Sequence, residues 1–173
     1  DIYNSVSLRY GLPCGGEDID TFVGDIRLAL ADGHEPFIPL GGEENDPPYE
    51  GEIVYKDDVG AICRCWNWRE AQRTMLTEQT KRAFLCIESI DETRNEVLYQ
   101  ALEELASSIR RHLGGTVKTH IVDIHHPEIS KQIKDHFIRL ALIAAALGRS
   151  GGEGEAMRLA EPIVDMALAF IVF

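Results

Sequence analysis

The sequence predicts an α+β fold, a mixed or antiparallel sheet with packed helices and a C-terminal helical appendage. Three observations carry this: short alternating runs joined by Asp-Gly and Asp-Asp-Val-Gly turns, one long amphipathic stripe from Glu92 to Leu113, and helical spacing after Pro127. A chain of 173 residues with 45% hydrophobic content suits one ordinary domain with an appendage.

Ile2, Val6 and Tyr10 recur every fourth residue with Tyr3 beside them, which predicts a short helix ended by Gly11 and Pro13. CGGEDIDTF then reads as a turn. Asp25 to Ala31 alternates apolar and polar residues, a half-buried strand. Asp32-Gly33 turns it, and Glu35 to Leu40 returns as a second strand weakened by Pro36 and Pro39. Glu52 to Lys56 and Gly60 to Trp66 pair as a hairpin, with Ile53 and Tyr55 on one face and Ala61, Cys63 and Cys65 on the matching one. Thr77 caps a helical turn, and Ala83 to Glu88 is a buried strand. Val97, Leu98, Ala101, Leu102, Leu105 and Ile109 form the stripe of the long helix, stopped by Gly114-Gly115, and Thr116 to Asp123 is a last strand. Ile129, Ile133, Phe137, Leu140, Ala144 and Leu147 predict a tail helix to Gly148. SGGEG, residues 150–154, links it to another over 156–173, kinked or started by Pro162. The expected division is 1–123 as the domain and 124–173 as the helical tail. Asp1 in place of Met, with order already in Ile2 to Leu8, points to an N-terminally truncated or processed chain.

Seventeen Lys and Arg against 29 Asp and Glu give a formal charge of -12, which repels phosphates at long range and disfavours anionic membranes; a nucleic acid would need a local patch. Cys14, Cys63, Cys65 and Cys86 contain no CxxC pair and read as thiols of a cytoplasmic protein, with no metal and no cofactor expected. HxxxxHH at His120, His125 and His126 has no established ligand spacing. No apolar run is long enough to span a membrane. The apolar face of the tail suggests a homo-oligomer through the C-terminal helices.

The densest stretch is Gly41 to Arg73, with both tryptophans, two of the four cysteines, Cys63 and Cys65, and charges of both signs within about thirty residues. Arg64, Asn67, Arg69, Glu70 and Arg73 supply oriented donors and a carboxylate, the mixture an ester hydrolase needs without metal. The alternative reading of Arg69 and Arg73 is an ordinary surface pair. Trp66 and Trp68 on one face of an extended segment either stack a base or close the core. Glu43, Glu44, Asn45 and Asp46 either bind an amine or hard cation or form a solvated loop turned by Pro47-Pro48.

In order and spacing, DIYNSVSLRYGLPCGGEDID, the segment from Gly24 to Glu70 and TEQTKRAFLCIE before the long helix resemble the B3/B4 domain. This is the tRNA-binding and editing domain of the phenylalanyl-tRNA synthetase beta subunit, also found in free-standing proteins. Asn4, Gly11 and Pro13 match its first motif, with Gly15 where that motif has His. GAICRCWNWRE with Thr77 to Thr80 resembles its second, Trp66, Asn67 and Trp68 standing where the turn glycines fall and Glu70 at the acidic position. The resemblance implies a tRNA or aminoacyl-tRNA 3′ end as partner and hydrolysis of a mischarged ester in trans. Glu70 and Arg69 would then be catalytic, and Asn4, Glu43, Glu44, Asn45, Arg64, Trp66, Asn67, Trp68 and Arg73 would bind substrate. The alternative is a non-catalytic module for a small amino-acid-like ligand or a protein.

Overall fold

Helix α1 (Ile2–Tyr10) ends where Gly11 takes the left-handed φ of 60° and returns its amide to the Ser7 carbonyl at 2.9 Å, the conformation that glycine enters without a Cβ penalty. In a computed structural model, residues 1–123 and 125–126 are described in full, together with the backbone of three strands, β8 (Glu128–Ile133), β9 (His136–Leu142) and β10 (Ala167–Val172). The chain divides into two units, each with its own sheet.

The first unit takes Asp1–Asp20, Leu76–His125 and β10. Its antiparallel sheet has the order β1-β6-β10-β7, with β1 (Cys14–Asp18), β6 (Ala83–Ser89) and β7 (Lys118–Val122). Every residue of β6 is buried, as its apolar run predicts. Helix α2 (Asn95–Leu113), preceded by a 3-10 turn at Glu92–Arg94, buries Leu98, Ala101, Leu102, Leu105, Ala106 and Ile109 against Val6, Leu12, Leu85 and Ile87. Burying a leucine such as Leu105 stabilises by about 1.5–3 kcal/mol. Tyr10 donates to Glu104 at 2.7 Å and ties α1 to α2. CGGED, expected as a turn, is an edge strand. Its glycines suit the place, because a Cβ on Gly16 would lie 2.3 Å from the Leu85 Cδ2.

The second unit takes Thr21–Met75 with the tail strands β8 and β9. Its sheet runs β5-β4-β3-β2-β9-β8, with β2 (Ile26–Leu30), β3 (Ile53–Lys56), β4 (Ala61–Arg64) and β5 (Arg69–Glu70). All pairs are antiparallel except β2 with β9. The expected hairpin of β3 and β4 forms, with Tyr55 opposite Cys63 and a register shift at Lys56.

Three expectations are corrected. Glu35 to Leu40 is not the partner of β2, which pairs with β3; two prolines remove the ladder donors, and only Pro39 bridges Ala71. Thr77 to Thr80 is a closed turn and no helix, its ends joined by the Thr77 amide on the Thr80 hydroxyl at 2.9 Å. The tail helix from Pro127 is, over its described residues, the antiparallel pair β8 and β9, and the described part of the second tail helix is β10. The pattern IRLALI also alternates, and Ile129, Ile133 and Phe137 satisfy either period, so pairing onto an open sheet edge decided the conformation. The rest of the two expected tail helices, over 143–147 and 156–166, and the linker at 150–154 lie outside the described residues.

Candidate functional site

Arg64 ends β4 and is 2% exposed, so its charge demands partners in a low-dielectric place. Glu52, at the foot of β3, supplies a two-point fork: Arg64 Nε donates to Oε1 at 3.0 Å and Nη2 to Oε2 at 2.8 Å. Arg64 Nη1 reaches the Asp46 carbonyl at 2.6 Å and its carboxylate at 3.1 Å. The guanidinium carbon lies 5.5 Å from the Phe37 ring centroid and 5.8 Å from that of Tyr49, an aromatic flank for a planar cation.

The same Glu52 also accepts from the Cys65 amide at 2.8 Å and the Tyr49 amide at 3.1 Å. Burial raises its proton affinity, yet the Arg64 fork and these two amides outweigh that and hold the carboxyl at about 2. Arg69 follows across the β4–β5 pair, opposite Arg64, and binds Asp46 at 2.7 Å; its guanidinium carbon is 5.8 Å from the Phe37 centroid. The hydrogen bond from Arg69 holds the exposed Asp46 carboxyl below its usual range.

Residues 65–68, CWNW, make the turn from β4 to β5. Cys65 and Trp66 both take positive φ, 50° and 66°, values that favour glycine. The turn is held at both ends, by the Trp66 amide on the Ile53 carbonyl at 2.9 Å and the Trp68 amide on the Arg64 carbonyl at 3.3 Å. Trp66 folds inward, half-buried, and its Nε1 is buried with no partner among the described residues. Trp68 stands 78% exposed, as does Tyr49 at 80%. The two tryptophans therefore do not share a face of an extended segment.

Glu70 lies next to Arg69 on a two-residue strand, where successive side chains point to opposite faces. It pairs with Cys63 where Arg69 pairs with Arg64, and its Oε2 is buried without a partner among the described residues. The structure does not bring Glu70 and Arg69 together. Arg73 is also committed: it forks onto Asp57, whose side chain is fully buried, at 2.8 and 2.9 Å and donates to the Thr21 carbonyl at 3.1 Å. Asp57 further accepts from the Val23, Val59 and Gly60 amides, closing the β3–β4 turn.

Of the remaining expected residues, Asn45 accepts from the Phe37 amide at 2.8 Å and shapes its loop, Glu43 and Glu44 are exposed beside it, Asn67 is exposed at the turn, and Asn4 is exposed on α1 in the first unit. Glu52 and Tyr49 were not singled out by sequence reasoning. The signal for Glu52 was available: an arginine inside the apolar strand AICRC needs an acid on the paired strand.

Among the described residues, no group of three or more His, Cys, Asp or Glu side chains is set to hold a metal ion, and no helix is long and apolar enough to cross a membrane. The His125 amide is turned onto Asp123 at 2.9 Å.

The β4–β5 edge of the sheet thus carries an arginine flanked by aromatic rings, with Tyr49 and Trp68 exposed. Residues 1–114 match the B3/4 domain, and the chain belongs to that family, which is associated with the tRNA-synthetase beta subunit. No match was found among curated proteins.

Proposed function

We propose that this chain is an RNA-binding module whose ligand is the unpaired 3′ end of a tRNA, and that it acts in the cytoplasm. The observation that carries the reading is the exposure of Tyr49, whose ring lies by the Arg64 guanidinium, and of Trp68, whose amide bonds the Arg64 carbonyl: large rings open to solvent are what unpaired bases stack on. Family membership supports the class of ligand. Arg64 is neutralised by Glu52 and Asp46, Arg69 by Asp46 and Arg73 by Asp57, so stacking rather than phosphate pairing dominates and the salt dependence is shallow.

Binding is favoured over ester hydrolysis, because Glu70 and Arg69 face opposite ways. The test is to titrate the protein with a single-stranded RNA ending in CCA and with a blunt duplex, and to incubate it with a mischarged tRNA. Preference for the single strand without ester loss is expected; hydrolysis that Glu70→Gln abolishes would overturn the non-catalytic part.

A second reading, a small amino-acid-like ligand, is favoured by the buried Trp66 Nε1 donor and Glu70 Oε2 acceptor on one hairpin, both without partners among the described residues. Such groups cost stability unless something bonds them. A thermal-shift screen of amino acids separates it: a rise in Tm lost in Glu70→Gln supports it, and no shift removes it.

A further inference from the structure

We infer that Glu52 is a positioning residue that sets Tyr49 and Trp68 as one stacking edge; the inference rests on the base-stacking reading above. A single carboxylate joins two backbone amides and one guanidinium. Oε2 takes the Tyr49 amide at 3.1 Å, Oε1 takes the Cys65 amide at 2.8 Å, and both oxygens hold the Arg64 fork.

Each connection bears on one of the rings. Tyr49 lies against the Arg64 guanidinium, and its carbonyl receives the Glu52 amide at 3.0 Å, so the aromatic is clamped through both backbone groups by the same residue. Trp68 hangs from Arg64 by its amide, and the turn that carries it begins at Cys65, whose positive φ needs an external tether to persist. Both rings are about four-fifths exposed, so burial does little to fix either. Glu52 is 12% exposed and carries no surface charge to a ligand directly; it acts through Tyr49, Cys65 and Arg64.

Electrostatics and positioning predict opposite signs. Glu52→Gln removes a negative charge from an RNA-binding edge, which by charge alone tightens binding. If Glu52 positions the rings, the same change weakens it by about tenfold, the loss of roughly one base stack, with the slope of log Kd against log salt unchanged. Glu50→Gln, an exposed charge beside Tyr49, is the control and follows charge alone.

The experiment measures Kd for a CCA-ended single strand with the full chain as wild type, Glu52→Gln and Glu50→Gln, well below the Tm of each, together with amide hydrogen exchange. Weaker binding by Glu52→Gln and joint loss of protection at Tyr49 and Cys65 are expected; equal or tighter binding overturns the positioning role. Should Glu52→Gln not fold, wild-type exchange decides: protection of the two amides to the same degree supports the coupling, and free-loop rates refute it. Wild type that binds no RNA refutes the stacking reading, and the exchange of the two amides still judges the coupling separately.

Discussion

Replacing Glu52 by Gln keeps the volume and removes the charge, so its effect on stability should follow the titration of the native carboxyl. The folded-state value of about 2 stands against an ordinary 4.5. A difference of about 2.5 units corresponds to about 3 kcal/mol of stability. Because the folded value is depressed, this contribution is full above pH of about 4.5 and is lost as the pH falls toward 2. Urea unfolding followed by tryptophan fluorescence is a direct assay, since Trp66 and Trp68 both belong to the second unit with Glu52. The gap between wild type and Glu52→Gln should be about 3 kcal/mol at neutral pH, less than half of that near pH 3 and small near pH 2. Taking the difference cancels the other carboxylates. A gap that stays constant with pH, or one below about 1 kcal/mol at neutral pH, would refute a buried ionic fork at this position.

The remaining predictions concern neighbouring features. Asp57→Ala takes the carboxylate from Arg73 and the acceptor from three amides and should cost about 3–5 kcal/mol in the same urea assay, far more than an exposed ion pair. Glu35 is held at about 2: burial raises it, and Lys56 with the Asp32 amide outweighs that. Glu35→Gln should therefore lose its destabilising effect over the same acid range as Glu52→Gln. Cys65→Gly removes a Cβ from a φ of 50° and should raise stability by about 0.5 kcal/mol, read as a small increase in Tm.

Regular elements were legible wherever a single period dominated. The stripe from Leu98 to Ile109 with Gly114 behind it marked α2, and the unbroken AFLCIE marked β6. CGGED misled because glycines that make turns also allow close backbone approach, as at Gly16 against Leu85. The tail misled because spacings of four residues are shared by both periods and the deciding partner, β2, lies a hundred residues away in the chain. At the site, the density of Gly41 to Arg73 is resolved into two sets: Arg64 and Arg69 share Asp46 and the Phe37 ring, and Arg73 pairs with Asp57. What composition could not reveal is pairing. Whether an arginine awaits a ligand or is spent on Glu52, Asp46 or Asp57 depends on strand register and turn geometry. The opposite facing of Arg69 and Glu70 follows from two residues being strand rather than loop.

The most direct test of the central claim is fluorescence titration of a CCA-ended single-stranded RNA into wild type, Trp68→Ala and Tyr49→Ala. Both side chains are largely exposed, so both variants should keep their fold. Quenching in wild type and a loss of affinity of about 1–3 kcal/mol in each variant are predicted. Equal affinity in all three proteins would contradict an aromatic stacking edge at the β4–β5 turn.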